Sequence, residues 1–200
     1  MSFTLANINA ALTRIGNDPL TTLEGGSPAQ KIATANYEKL WKGLLAGYPW
    51  RWATKTAMLA AIEGTVDLPW LYAYQLPTDL LHLRVVTVGG LPVEYERQSN
   101  KLLCNVDNTQ DLILVYTYEV AESLWPETFA EAVIQHLEAM FLRGIGERHQ
   151  EAEAREKSAK VQLQLAKRED AKSRSPRDAW VHGVLAARNG TAAYPALPWR

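Results

Sequence analysis

The side chains best suited to hold a metal, four histidines and one cysteine, are spaced so that they share no site. His82, His136, His149 and His182 form no His-x-x-x-His pair, and Cys104 has no Cys-x-x-Cys partner, so neither a metal site nor a cofactor is expected. Glu94 and Glu96 would share one side of a strand, the placement a paired acid and base needs, but no further signature accompanies them and they are read as solvent-facing. His149, among Glu147, Glu151 and Glu153, reads as a solvated helix face. Gly25-Gly26-Ser27 lacks both the lysine and the preceding strand of a phosphate-binding loop, so Ser27 is assigned as a helix cap. No Gly-x-Ser-x-Gly elbow is present, and Cys104 among Leu102, Leu103 and Val106 reads as an inert buried thiol. Trp50 and Trp52 around Arg51 could stack on nucleic-acid bases, or could wedge a junction between helices and strands. The second reading is favoured because the formal charge is −1, with no basic surplus. Arg14, Lys31 and Arg51 are the cations left to meet a negatively charged partner.

These residues sit in a chain of 200 amino acids, 47% apolar and 22% charged, a globular composition. No apolar run approaches the roughly 20 residues that a bilayer requires. The start, Met1-Ser2-Phe3-Thr4, is unlike a signal peptide, and a single cysteine allows no internal disulfide, so synthesis and residence in a reducing cytoplasm are expected. Seven tryptophans and eight tyrosines are the compositional excess, and such side chains serve cores and protein interfaces alike.

Leu5, Ile8, Leu12 and Ile15 recur at helical spacing and predict a helix over about 3–15. Gly16, Asp18 and Pro19 end it, and Ser27-Pro28 starts a second helix that runs to about 47 with Ala33, Tyr37, Leu40, Trp41, Leu44, Leu45 and Tyr48 as a broad apolar face. From 50 to 120 the period falls to two, which predicts antiparallel strands near 52–59, 72–75, 82–88, 93–97, 101–105 and 112–119, with Gly89-Gly90 as a hairpin turn. Pro126 and Glu127 open a third helix carrying Phe129, Val133, Leu137, Met140, Phe141 and Ile145. A long fourth helix is expected from 147 to about 173, supported by Glu-to-Lys and Glu-to-Arg pairs four residues apart. The expected organisation is a helical part from 1–49 and 121–173, an inserted β region at 50–120, and a C-terminal docking tail at 174–200. The tail places Trp180, Leu185, Tyr194, Leu197 and Trp199 among Gly, Pro and Asn, too few apolar groups for a core and too many for water, so these are the partner-contact candidates.

The motif Ile15-Gly16 with Pro19, then Leu23-Glu24-Gly25, then Trp50-Arg51-Trp52 after Tyr48-Pro49, then Leu76-Pro77-Thr78-Asp79-Leu80, resembles the head-to-tail adaptors of short-tailed and related bacteriophages, the tail tubular protein A family. The resemblance covers about 5–172 and rests on the order of elements as much as on Gly16, Pro19, Gly25, Trp50 and Trp52. It implies an α+β, mainly α fold: a four-helix bundle with a small inserted antiparallel β region and a C-terminal extension. It also implies a non-enzymatic virion protein of the neck, assembled as a ring of identical subunits, typically a dodecamer, between the portal and the tail nozzle, tail tubular protein B. Genomic double-stranded DNA would pass through the lumen unbound, which suits a near-neutral chain, and no membrane is involved. The alternatives are a cytosolic helical assembly or regulatory protein without catalysis, and a small enzyme whose pocket the sequence does not advertise.

Overall fold

The computed structural model describes residues 2–63, 69–146 and 148–173. In chain order it has α1 (Ser2–Arg14), α2 (Pro28–Ala46), eight strands, one 3-10 turn (Glu122–Leu124), α3 (Glu127–Gly144) and α4 (His149–Lys172). The strands are β1 (Thr54–Met58), β2 (Ala61–Ile62), β3 (Tyr72–Gln75), β4 (Leu80–Val88), β5 (Leu91–Pro92), β6 (Tyr95–Gln98), β7 (Lys101–Cys104) and β8 (Leu112–Tyr118).

The turn between α1 and α2 is set by two glycines. Gly16 has φ +84°, Gly16 N donates to Thr13 O and Asn17 N donates to Leu12 O, the paired bonds of a Schellman cap that satisfies the last carbonyls of α1. The loop is then tied back by Asn9, whose side-chain amide both donates to Leu20 O at 2.9 Å and accepts from Leu20 N at 2.8 Å. At the other end Ser27 and Gln30 form a reciprocal capping box on α2. The Gln30 side chain also donates to Thr22 O and Glu24 O, and in doing so it occupies the space where a Cβ on Gly25 would sit. Gly25 also has φ +149°, a backbone conformation that L side chains rarely adopt, which gives the Leu23-Glu24-Gly25 motif a local physical cause.

α3 is the hub of the helical part. Phe129, Val133, Leu137 and Phe141, four residues apart, are all fully buried, and α1, α2 and α4 each pack on α3. α4 presents Ala152, Ala159 and Ala166 at intervals of seven, a line of small side chains that lets its axis lie close along α3.

The strands form two antiparallel sheets of four, in the orders β1-β8-β4-β5 and β2-β3-β7-β6. β8 alternates Leu112, Leu114 and Tyr116 toward one side, and these meet Val86 of β4 and Tyr74, Leu102 and Cys104 of the other sheet in a core of their own. The expected mainly α four-helix bundle with a small β insertion is therefore corrected to a mixed α and β fold. The β part is eight strands around a separate core, and the helices gather on α3 instead of closing a four-sided bundle. β2 and β5, two residues each, were not expected from the sequence.

One arginine joins the two parts. Arg84 of β4 donates through Nε to Thr117 Oγ1 at 2.8 Å, and its Nη2 reaches Ala46 O at 3.0 Å and Tyr48 O at 2.6 Å, where α2 ends. A guanidinium here neutralises the negative end of the helix and satisfies carbonyls that have no partner within it. Arg84→Met should lower stability by about 1.5–3 kcal/mol, the range for hydrogen bonds to a charged group. Arg84→Lys should recover little of it, because an ammonium cannot span Thr117 and the helix end together. Urea denaturation of the two variants checks the pair.

Candidate functional site

An open groove of about 520 Å³ is lined by Trp41, Thr78, Asp79, Glu119, Val120, Ala121 and Glu122, residues of both the helical and the β part. Asp79, Glu119 and Glu122 bring three carboxylates to one groove, the kind of grouping from which an acid-base pair could be built. Each one has donors. Asp79 accepts from Lys55 Nζ at 2.8 Å and from Tyr116 OH at 2.9 Å, and the Lys55 hydrogen bond holds its carboxyl below the usual carboxylate range. Glu119 pairs with Lys42 at 3.1 Å, and Lys42 also pairs with Glu38. Glu122 accepts from Tyr37 OH and, at 3.0 Å, from Asn7 Nδ2, which ties α1 and α2 to the 3-10 turn.

The phenols answer in kind. Burial, then the Asp79 hydrogen bond, pushes Tyr116 up to about 12 from 10.0, and burial followed by the Glu122 contact pushes Tyr37 higher still. A raised folded-state pKa means that both phenols stabilise the fold below their unfolded value of 10.0, and that this contribution is lost as the pH climbs through about 12 for Tyr116 and higher for Tyr37. In an alkaline titration followed by tyrosinate absorbance, Tyr37 and Tyr116, together with Tyr74, whose phenol is also pushed up by burial, should therefore ionise late, as the protein opens. Tyr37→Phe and Tyr116→Phe should each remove one such late step, and smooth ionisation of all tyrosines near 10 would contradict the assignment. Carboxylates paired with lysine, phenol and amide donors are braces, and the groove's chemistry is that of a matched surface seam. Asp79 has a further structural duty, since its turn, Leu76 to Leu80, carries the chain from the second sheet into the first, with Asp79 O accepting from Glu119 N.

Within the tryptophan block, Trp50 lies inside the protein and Trp52 is only partly covered. Trp50 is 0% exposed, donates from Nε1 to Leu44 O at 3.0 Å, and has its ring centroid 5.1 Å from Phe129 and 4.8 Å from Tyr48 in edge-on contacts. Trp52 is partly exposed and meets Phe129 at 5.1 Å, while Trp125 bridges Phe129 to Trp41. A fully buried Trp50 cannot stack on bases, so the junction-packing reading holds for it. The arginine between them is equally committed: Arg51 Nη1 donates to Asp170 O and Ala171 O at the end of α4, and the Asp170 carboxylate accepts from Arg51 N at 3.0 Å. Arg14, another cation expected to face a partner, is paired with Glu131 and Glu138.

Among the other expected positions, Gly16 and Gly25 shape the loop before α2 and Pro19 lies exposed within it. The Cys104 thiol is fully buried and pushed up by burial, an unreactive state. Trp180, Leu185, Tyr194, Leu197 and Trp199 lie outside the described residues. Among the described residues no group of three or more His, Cys, Asp and Glu side chains is placed to hold a metal, and no helix is long and apolar enough to cross a membrane. Sequence reasoning passed over Arg84 and the buried Glu138, which look like ordinary surface charges in a linear reading. For Glu138 a signal existed, because it falls four residues after Ile134 and three before Phe141 on the apolar side of α3. No protein-family model matches the chain, and no curated protein is significantly similar to it.

Proposed function

We propose that this chain is a structural virion protein, a head-to-tail adaptor whose subunits form a ring, typically of twelve, between the portal and the tail nozzle of a bacteriophage. The observation that carries the reading is the sequence resemblance together with the local work of its motif residues. Gly16 caps α1, Gly25 makes room for Gln30, Trp50 fills the junction and Asp79 pins the turn between the sheets. The order α1, α2, strands, α3, α4 is also the order on which that resemblance rests. Exposed apolar side chains at Leu91 (72%), Val161 (71%) and Met58 (70%) supply contact surface on both parts of the fold. A formal charge of −1 suits a lumen through which double-stranded DNA slides without being held. The tail side chains Trp180, Leu185, Tyr194, Leu197 and Trp199 are the proposed portal contacts.

The test is a tagged pull-down from a phage-producing lysate, with partners quantified by mass spectrometry. Stoichiometric recovery of portal and nozzle proteins is expected, and a chain truncated at Ser175 should lose the portal. Undiminished portal binding by the truncated chain would overturn the role of the tail. Recovery of neither protein by a folded bait would favour a cytosolic assembly or regulatory protein.

A further inference from the structure

A second pocket, of about 240 Å³, opens where α4 ends. Its walls are mostly apolar, built from Trp50, Trp52, Pro126, Phe129 and Ala166, and Thr128, Glu169, Asp170 and Ser173 complete the lining. The aromatic rings stand edge-on around it, with Trp50 and Trp52 centroids 5.8 Å apart and Trp52 and Phe129 5.1 Å apart. A cavity of roughly 150 Å³ accepts a benzene ring, so this one has room for the larger indole. An aromatic guest would extend an edge-to-face cluster already in place.

We propose that this pocket is the seat of Trp180 of the same chain. Ser173 lines the pocket itself, so the chain that continues from it begins at the pocket's edge. Trp180 follows seven residues later, within about 25 Å of extended chain. It is the nearest aromatic side chain beyond Ser173. Tyr194 and Trp199 close much longer loops at a larger entropic cost. Charge agrees as well: Glu169 stands exposed at the pocket, while the stretch before Trp180 carries Arg174 and Arg177 against the one acid Asp178. Asp170 is already engaged by Arg51 N, which leaves Glu169 as the acid that meets this basic stretch. The seat is independent of the adaptor reading. In an adaptor it would hold the tail on its own subunit until a partner competes for it.

The test uses the full-length chain carrying Thr128→Cys in the pocket wall and Ala179→Cys beside Trp180, oxidised mildly at submicromolar concentration with native Cys104 left in its buried site. The expected product is a disulfide within one chain, formed at least tenfold faster than in a control pairing Leu91→Cys with Ala179→Cys. A link between two chains would show that the pocket takes a second copy's tail, and a rate equal to the control would show that it takes neither. Both outcomes overturn the proposal. Fluorine spectra provide a second reading that needs no cysteine. In protein labelled with 5-fluorotryptophan, the line removed by Trp180→Phe should resist a soluble paramagnetic quencher several-fold better than free fluorotryptophan does. Equal quenching would overturn the seat.

Discussion

Trp50→Ala is expected to be the most damaging single substitution in the described chain, costing about 3–5 kcal/mol, the range for a fully buried tryptophan. For a protein of this length that corresponds to a fall in melting temperature of roughly 6–20 °C. The size follows from position. Trp50 is fully buried, touches Tyr48, Trp52 and Phe129, and ties the end of α2 through Leu44 O, so its loss opens a cavity at the meeting point of α2, α3 and β1. Trp52→Ala, at a partly exposed site on the same cluster, should cost distinctly less. Calorimetry on both variants checks the order, and equal losses would mean that the cluster is not anchored on Trp50.

The second large effect concerns Glu138, whose side chain is 0% exposed in the middle of α3. Its Oε1 lies 3.3 Å from Arg14 Nη1 on α1, and its Oε2 lies 3.3 Å from Arg155 Nε on α4 without a properly aligned hydrogen bond. One carboxylate therefore joins three helices. Removing both arginines strands a buried charge, and Arg14→Ala with Arg155→Ala should cost about 3–5 kcal/mol. Removing the acid is different. In Glu138→Leu, Arg14 keeps its two-pronged contact with Glu131 and Arg155 is 47% exposed to water, so neither cation is left buried and unpaired. Glu138→Leu should thus be close to neutral or stabilising, as when a buried ion pair is replaced by a well-packed apolar group. Urea midpoints at unchanged slope decide the matter, and a greater loss from Glu138→Leu than from the double arginine variant would contradict this account.

Local signals were legible in the sequence because their causes are local. Ser27-Pro28 announced the start of α2, Gly16 its predecessor's end, and the four-residue spacing of Phe129, Val133, Leu137 and Phe141 the buried face of α3. The strand segments were legible from their alternation, but their assembly was not. Sheet order depends on pairings such as Thr54 with Thr117 and Tyr72 with Cys104, which no short window contains. That is why a small insertion was expected where two facing sheets with their own core are found. Charged residues misled in the same way: Arg84 and Glu138 gain their roles only when distant helices and strands close around them. Trp50 was placed correctly at the junction because a large aromatic side chain after a Tyr-Pro step has little use in water.

Native mass spectrometry of the full-length chain, alone and mixed with the phage portal, bears most directly on the adaptor reading. The account predicts a free subunit that stays monomeric and joins the portal in many identical copies, twelve in the typical case. A stable two-fold dimer that ignores the portal would contradict it.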